Sequence, residues 1–86
     1  GNPGPFTARG VLAGLKAAVK HQLGRDDVRG LHVAIQGVGS VGGALARALA
    51  AEGARLTLAD ADPVRAARLA TELGAAEAPV SYTHLT

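Results

Sequence analysis

Leu31-His32-Val33-Ala34-Ile35-Gln36, followed by Gly37-Val38-Gly39-Ser40-Val41-Gly42, carries most of the structural information in this chain. The first six residues are a short run, β-branched in part and bounded by glycine on both sides, which reads as a buried parallel strand. The next six match G-x-G-x-x-G and open a helical pattern, with Val41, Ala44, Leu45, Ala48 and Leu49 at three- and four-residue steps up to Gly53. Arg55 to Ala59 (RLTLA) is a second short strand. Asp62 then caps a further helix with Pro63 at its first position, and Val64, Ala67, Ala70 and Leu73 continue it to Gly74. Strand, helix, strand, helix in this order is α/β: a partial Rossmann (βαβ) unit with right-handed connections.

The glycine spacing has a chemical reason. Gly37 lets the chain turn sharply off the strand, Gly39 keeps the backbone bare where a pyrophosphate would approach, and Gly42 lets the helix come close to the sheet. Unpaired N–H groups at the helix start, with the positive end of its dipole, receive phosphate without a lysine, and Ser40 adds a hydroxyl. Asp60 follows the second strand at the position where an acid would accept hydrogen bonds from the adenosine ribose and repel a 2′-phosphate, so NAD is preferred over NADP. Arg55 and Arg65 lie nearby and could in principle pair with a 2′-phosphate, although one precedes the strand and the other is inside the helix, so NADP is the less expected cofactor. The expected cofactor contacts are Gly37, Val38, Gly39, Ser40, Val41, Gly42 and Asp60, with Asp62 assigned to helix capping.

Upstream, Val11, Leu12, Leu15, Ala18, Val19 and Leu23 repeat at helical spacing between Lys16, Lys20 and Gln22. An amphipathic helix therefore precedes the strand, with both lysines on its solvent side. Gly1 to Pro5 reads as a loop because of its prolines and glycines, and Arg25 to Gly30 as a solvated connection. Two strands alone would leave both sheet edges and the apolar side chains of Val33, Ile35, Leu56 and Leu58 without cover. Residues 1–30 are thus a hinge loop and helix, and residues 31–79 the N-terminal half of a Rossmann domain. Residues 80–86 (VSYTHLT) resemble the in-frame translation of a transposon-end sequencing adapter and are expected to be a non-native tail.

Composition sets wider limits. The chain has 86 residues, 9 Lys and Arg against 7 Asp and Glu, and only 2% aromatic residues. A complete doubly wound domain needs well over a hundred residues, so a fragment of a larger protein is expected. Scattered basic residues and a net charge of +2 give no basic stripe for nucleic acid. Without cysteine there is neither a disulfide nor a thiolate metal site, and His21, His32 and His84 lack ligand spacing. No apolar run is long enough for a membrane span and no leader pattern opens the chain, so a cytoplasmic protein is expected.

Two separated motifs also carry a family resemblance. Gly1-Asn2-Pro3-Gly4-Pro5-Phe6-Thr7-Ala8-Arg9-Gly10-Val11 resembles the G-[DN]-P-x-P-x-T-A-x-G-V segment of the leucine, phenylalanine and valine dehydrogenase family. Gln36 to Val41 resembles the same family's Q-G-[VL]-G-N-V loop, and the likeness extends from Gly1 to about Ala78. It implies reversible, NAD-dependent oxidative deamination of an L-amino acid to a 2-oxo acid and ammonium, by a homo-oligomer. It also implies that Thr7 approaches the nicotinamide carboxamide, the other reading of Thr7 being an N-cap. The family's catalytic lysine and aspartate precede this segment; Lys16 and Lys20 match neither, so no catalytic residue is assigned and the segment alone is expected to be inactive. Ser40 replaces a common Asn, and Gly43 adds a glycine expected to loosen the loop. The rival readings are another Rossmann dehydrogenase and a non-catalytic NAD-sensing module.

Overall fold

The computed structural model describes residues 4–79, so the expected loop at Gly1 to Pro3 and the expected non-native tail at 80–86 lie outside the described residues. The elements run α1 (Gly4–Leu23), β1 (His32–Gln36), α2 (Ser40–Ala51), β2 (Arg55–Ala59), α3 (Pro63–Leu73) and β3 (Ala76–Glu77). The three strands form one parallel sheet in the order β1-β2-β3, with Val33 opposite Leu56, Ile35 opposite Leu58, and Leu58 opposite Glu77. This is the expected partial Rossmann unit, with one strand more than the sequence showed.

The third strand follows from how α3 ends. Gly74 takes a left-handed conformation (φ +64°), and the Ala75 N–H returns to the Ala70 carbonyl at 2.8 Å. This reversal aims Ala76 and Glu77 along β2, and the Ala78 N–H closes the pairing on the Leu58 carbonyl at 2.9 Å. Two residues, Ala and Glu, have no strand signature of their own; backbone pairing makes them one.

Strand alternation sorts the side chains. Ile35, Leu56 and Leu58 are buried and Val33 is packed against them, joined by Ala46 and Leu49 of α2 and by Ala66, Leu69 and Ala70 of α3. The expectation that these four strand residues would lack cover is therefore corrected. Two helices suffice because their contact faces are mostly alanine, which lets each axis come close to the sheet. His32, Ala34, Gln36 and Arg55 are exposed and lie on the other side of the pleat. There the His32 ring nitrogen Nε2 and Thr57 Oγ1 are 2.6 Å apart across the two strands.

Three further expectations change. Gly4 and Pro5 belong to α1, since the first-turn N–H groups have no intrahelical partner and proline there removes nothing. Lys16 is not on a free solvent side: α1 packs along α2, and Lys16 Nζ lies 2.8 Å from Glu52 Oε1 at the end of that helix. The 25–30 connection is anchored rather than solvated. Val28 is fully buried in it, the Gly30 N–H bonds to the Gly53 carbonyl at 2.8 Å, and Asp27 Oδ1 accepts from the Arg29 N–H at 3.2 Å. Its charged neighbours point outward while one valine plugs the core, an arrangement with no period to detect.

Candidate dinucleotide site

The glycine loop leaves β1 at the carboxyl end of the sheet, the edge at which open α/β sheets bind ligands. Gly37 has φ +96°, a conformation that needs glycine, and its N–H bonds to the Ala59 carbonyl at 2.7 Å. Gly42 is fixed for a different reason. A Cβ built on it would lie 1.8 Å from the Gly37 carbonyl oxygen, so the first turn of α2 presses directly on the loop. Gly43 continues that contact: its Cβ position is 3.1 Å from the Val38 carbonyl oxygen and its N–H bonds to the Gly39 carbonyl at 2.8 Å. The second glycine therefore tightens the loop, contrary to expectation.

Gly39 differs from its neighbours. Its φ is −73°, and a Cβ there would meet nothing closer than Arg65 Nη1 at 3.7 Å. Among the described residues no packing contact calls for glycine at this position. It is the N-cap of α2 and supplies no side-chain hydrogen bond, leaving the helix start without a side-chain cap. The first N–H groups of an α-helix have no intrahelical acceptor and lie at the positive end of its dipole, and the first turn of α2 follows this loop directly.

Asp60 closes the other side. Its side chain is only 5% exposed, and its two oxygens are already engaged. Oδ2 accepts from the Val38 N–H at 2.7 Å; Oδ1 accepts from the Asp62 N–H at 2.8 Å and from Arg65 Nη2 at 3.3 Å. The Asp62 and Val38 amides, in that order, hold its pKa below the ordinary carboxylate value, with Arg65 adding to the effect and burial opposing it. A carboxylate has about four acceptor positions. Three are filled by groups of the protein itself, two on Oδ1 and one on Oδ2.

The remaining expected residues fall into place separately. Val38 is buried, and its N–H is spent on Asp60, so its part is to tie the loop to β2. Asp62 caps α3, accepting from the Val64 and Arg65 N–H groups at 3.0 and 3.3 Å, with Pro63 at the first position. Thr7 is exposed within α1, four positions into a helix that starts at Gly4, so the N-cap reading of it is excluded. Beside Asp60 a cleft of about 470 Å³ is lined by Ala61, Pro63, Ala66, Glu77, Ala78 and Pro79. Its β3 contribution was invisible in the sequence because that strand was. Arg65 lies in the first turn of α3, and because helical side chains lean toward the N-terminus it reaches back to Asp60. Among the described residues there is no cluster of His, Asp or Glu able to hold a metal ion, and no helix is long and apolar enough to cross a membrane.

A glycine loop feeding a bare helix start, with a carboxylate at the end of the adjacent parallel strand, defines a dinucleotide-binding module of the Rossmann type. Residues 32–85 match the family model described as NADP oxidoreductase, coenzyme F420-dependent, and the chain belongs to that family. Among curated proteins it is 48% identical over 75 residues to leucine dehydrogenase of Geobacillus stearothermophilus, covering 87% of this chain and 20% of that one. Phenylalanine dehydrogenase of Thermoactinomyces intermedius is 43% identical over 68 residues, covering 79% of this chain and 19% of the relative. The crystal structure of L-tryptophan dehydrogenase from Nostoc punctiforme superposes with a TM-score of 0.88 at 37% identity, covering 92% of this chain and 24% of that one. The resemblance to amino-acid dehydrogenases is therefore borne out. The chain spans about a fifth of the length of these curated relatives.

Proposed function

We propose that this chain is the pyrophosphate- and adenosine-binding segment of an NAD-dependent amino-acid dehydrogenase, whose intact form converts an L-amino acid of the leucine, valine or phenylalanine kind reversibly to its 2-oxo acid and ammonium. The observation that carries the reading is Gly39: a glycine whose bareness serves no contact among the described residues, set at a helix start without a side-chain cap. Three glycines serving a turn alone would not need the second one.

The residues present fit NAD. The N–H groups of Gly39, Val41 and Gly42 would hold the pyrophosphate, with Ser40 beside them at the first position of α2. The free acceptor position of Asp60 would take one ribose hydroxyl, and the small walls of the cleft formed by Ala61, Ala66 and Ala78 suit the flat adenine. Bound NAD supplies the hydride acceptor for the amino acid's α-carbon. The chain's own part is to bind and orient: Gly37 and Gly42 lock the loop, Val38 and Asp60 fix it to β2, and Thr7, exposed on α1, would by the family resemblance approach the nicotinamide carboxamide. The residues that polarise substrate and move protons belong to the rest of the protein, which by the same reading is a cytoplasmic homo-oligomer. This segment alone is inactive.

The test is NADH formation at 340 nm by the full-length protein with a panel of L-amino acids. Turnover with a branched-chain or aromatic amino acid is the expected result. Nucleotide binding with no turnover on any amino acid would replace the dehydrogenase by a nucleotide-sensing module.

A further inference from the structure

The cleft beside Asp60 has walls of one kind and polar groups of another. Ala61, Pro63, Ala66 and Ala78 give it small or rigid apolar surfaces, while its polar side chains are two carboxylates, Asp60 and Glu77, and no basic side chain lines it. Such a cleft repels phosphate and favours a flat, uncharged group that carries hydrogen-bond donors on its edge. The two acids are not equivalent. Asp60 is buried and tied to the Val38 and Asp62 amides and to Arg65. Glu77 is exposed, and among the described residues no hydrogen bond or ion pair engages its carboxylate. The strand that carries it is held by backbone pairing alone: Glu77 lies opposite Leu58, and the Ala78 N–H bonds to the Leu58 carbonyl at 2.9 Å.

We propose that Glu77 selects the base of the dinucleotide: its carboxylate accepts a hydrogen bond from the exocyclic amino group of adenine and turns away a purine that carries an oxygen there. An ionised carboxylate accepts hydrogen bonds and donates none. Adenine offers it that amino group, whereas guanine and hypoxanthine place a carbonyl oxygen at the same position, which would face Glu77 as a second acceptor. The apolar walls hold any purine alike by its faces, so the edge is where one base is told from another. Asp60 is committed to the loop and to its neighbouring amides, which leaves Glu77 as the group free to read that edge. The arrangement of charge also orients the ligand: the positive start of α2 takes the pyrophosphate, and the carboxylates take the end that donates hydrogen bonds.

This inference rests on the dinucleotide reading, and the experiment separates the two. NADH and its hypoxanthine analogue, in which oxygen replaces the adenine amino group, are titrated into the full-length protein and into its Glu77→Gln and Glu77→Ala variants, with dissociation constants read from nicotinamide fluorescence. The wild type is expected to bind the analogue about tenfold more weakly than NADH, since a charge-assisted bond is exchanged for two facing acceptors. Glu77→Ala should weaken NADH by about threefold to tenfold and bring the two nucleotides within about twofold of each other. Glu77→Gln, whose amide both accepts and donates, should also bring them level, with a smaller loss for NADH. Unfolding midpoints of both variants should match the wild type, because the side chain is exposed and makes no contact among the described residues. Equal binding of the two nucleotides by the wild type, or an unchanged preference in Glu77→Ala, would overturn the role of Glu77 and leave the dinucleotide reading standing. Binding of neither nucleotide by the wild type would bring down both.

Discussion

Gly42→Ala should damage the protein before any ligand is added. The new methyl carbon would sit 1.8 Å from the Gly37 carbonyl oxygen and 2.9 Å from its carbonyl carbon. Both are backbone atoms, so no side chain can swing aside, and loop and helix must part by about 1.2 Å to reach even a tight contact. Overpacking of this kind costs about 1–3 kcal/mol, and a clash against backbone belongs at the upper end. Replacing a helical glycine by alanine returns about 1 kcal/mol at most, because the position is in the first turn. The net loss is about 2 kcal/mol. The assay is denaturant unfolding of the full-length protein followed by circular dichroism, with Gly39→Ala as control. The control has open space around its Cβ and should lose no more than about 1 kcal/mol, the cost of a poorer N-cap residue. Equal stability of Gly42→Ala and wild type would refute the argument that α2 is pressed against the loop.

Other perturbations test other parts of the account. Val28→Ala should cost about 2 kcal/mol in unfolding experiments, since the side chain is wholly buried; a change within error would restore the solvated connection. Asp60→Ala should weaken both NADH binding and stability, because it removes a ribose acceptor and also strands the Val38 and Asp62 N–H groups; loss of binding at unchanged stability would contradict its structural half. The depressed carboxylate pKa values of Asp60, Asp27 and Glu72 give stability that is complete above about pH 4, the unfolded value, and is lost as pH falls through the lower folded values. Unfolding midpoints should therefore be level from pH 7 to about pH 5 and drop below pH 4, and a midpoint unchanged in acid would argue against those contacts. The exposed Arg47–Glu72 pair between α2 and α3 should matter little: the effect of Arg47→Ala should vanish in about 1 M salt, where charges are screened within about 3 Å.

How much of this was legible in the residues depended on whether each feature was local. The first strand, glycine loop and helix could be read because each glycine, each branched residue and each alanine step reports on its own few neighbours. The Asp62-Pro63 start of α3 could be read for the same reason. What escaped were features fixed by distant partners. Ala76 and Glu77 become a strand only because β2 offers them an edge, Val28 is buried only because Gly30 is tied to Gly53, and Lys16 finds Glu52 only once α1 lies along α2. At the site, the sequence pointed to Asp60 as a ribose acceptor, but not to its use of three acceptor positions on the protein itself. Arg65 was set aside because it lies inside a helix; the lean of first-turn side chains toward the helix start is what carries it to Asp60.

The most direct test of the central claim is the affinity of the full-length protein for NADH, compared with that of Gly39→Ala at matched stability. If the bare backbone at Gly39 exists to admit a pyrophosphate, a single methyl group there should weaken NADH binding by about a hundredfold or more, since the phosphate can no longer reach the helix N–H groups. NADH bound equally well by the variant would show that no phosphate approaches Gly39, and the assignment of this loop as the cofactor site would be wrong.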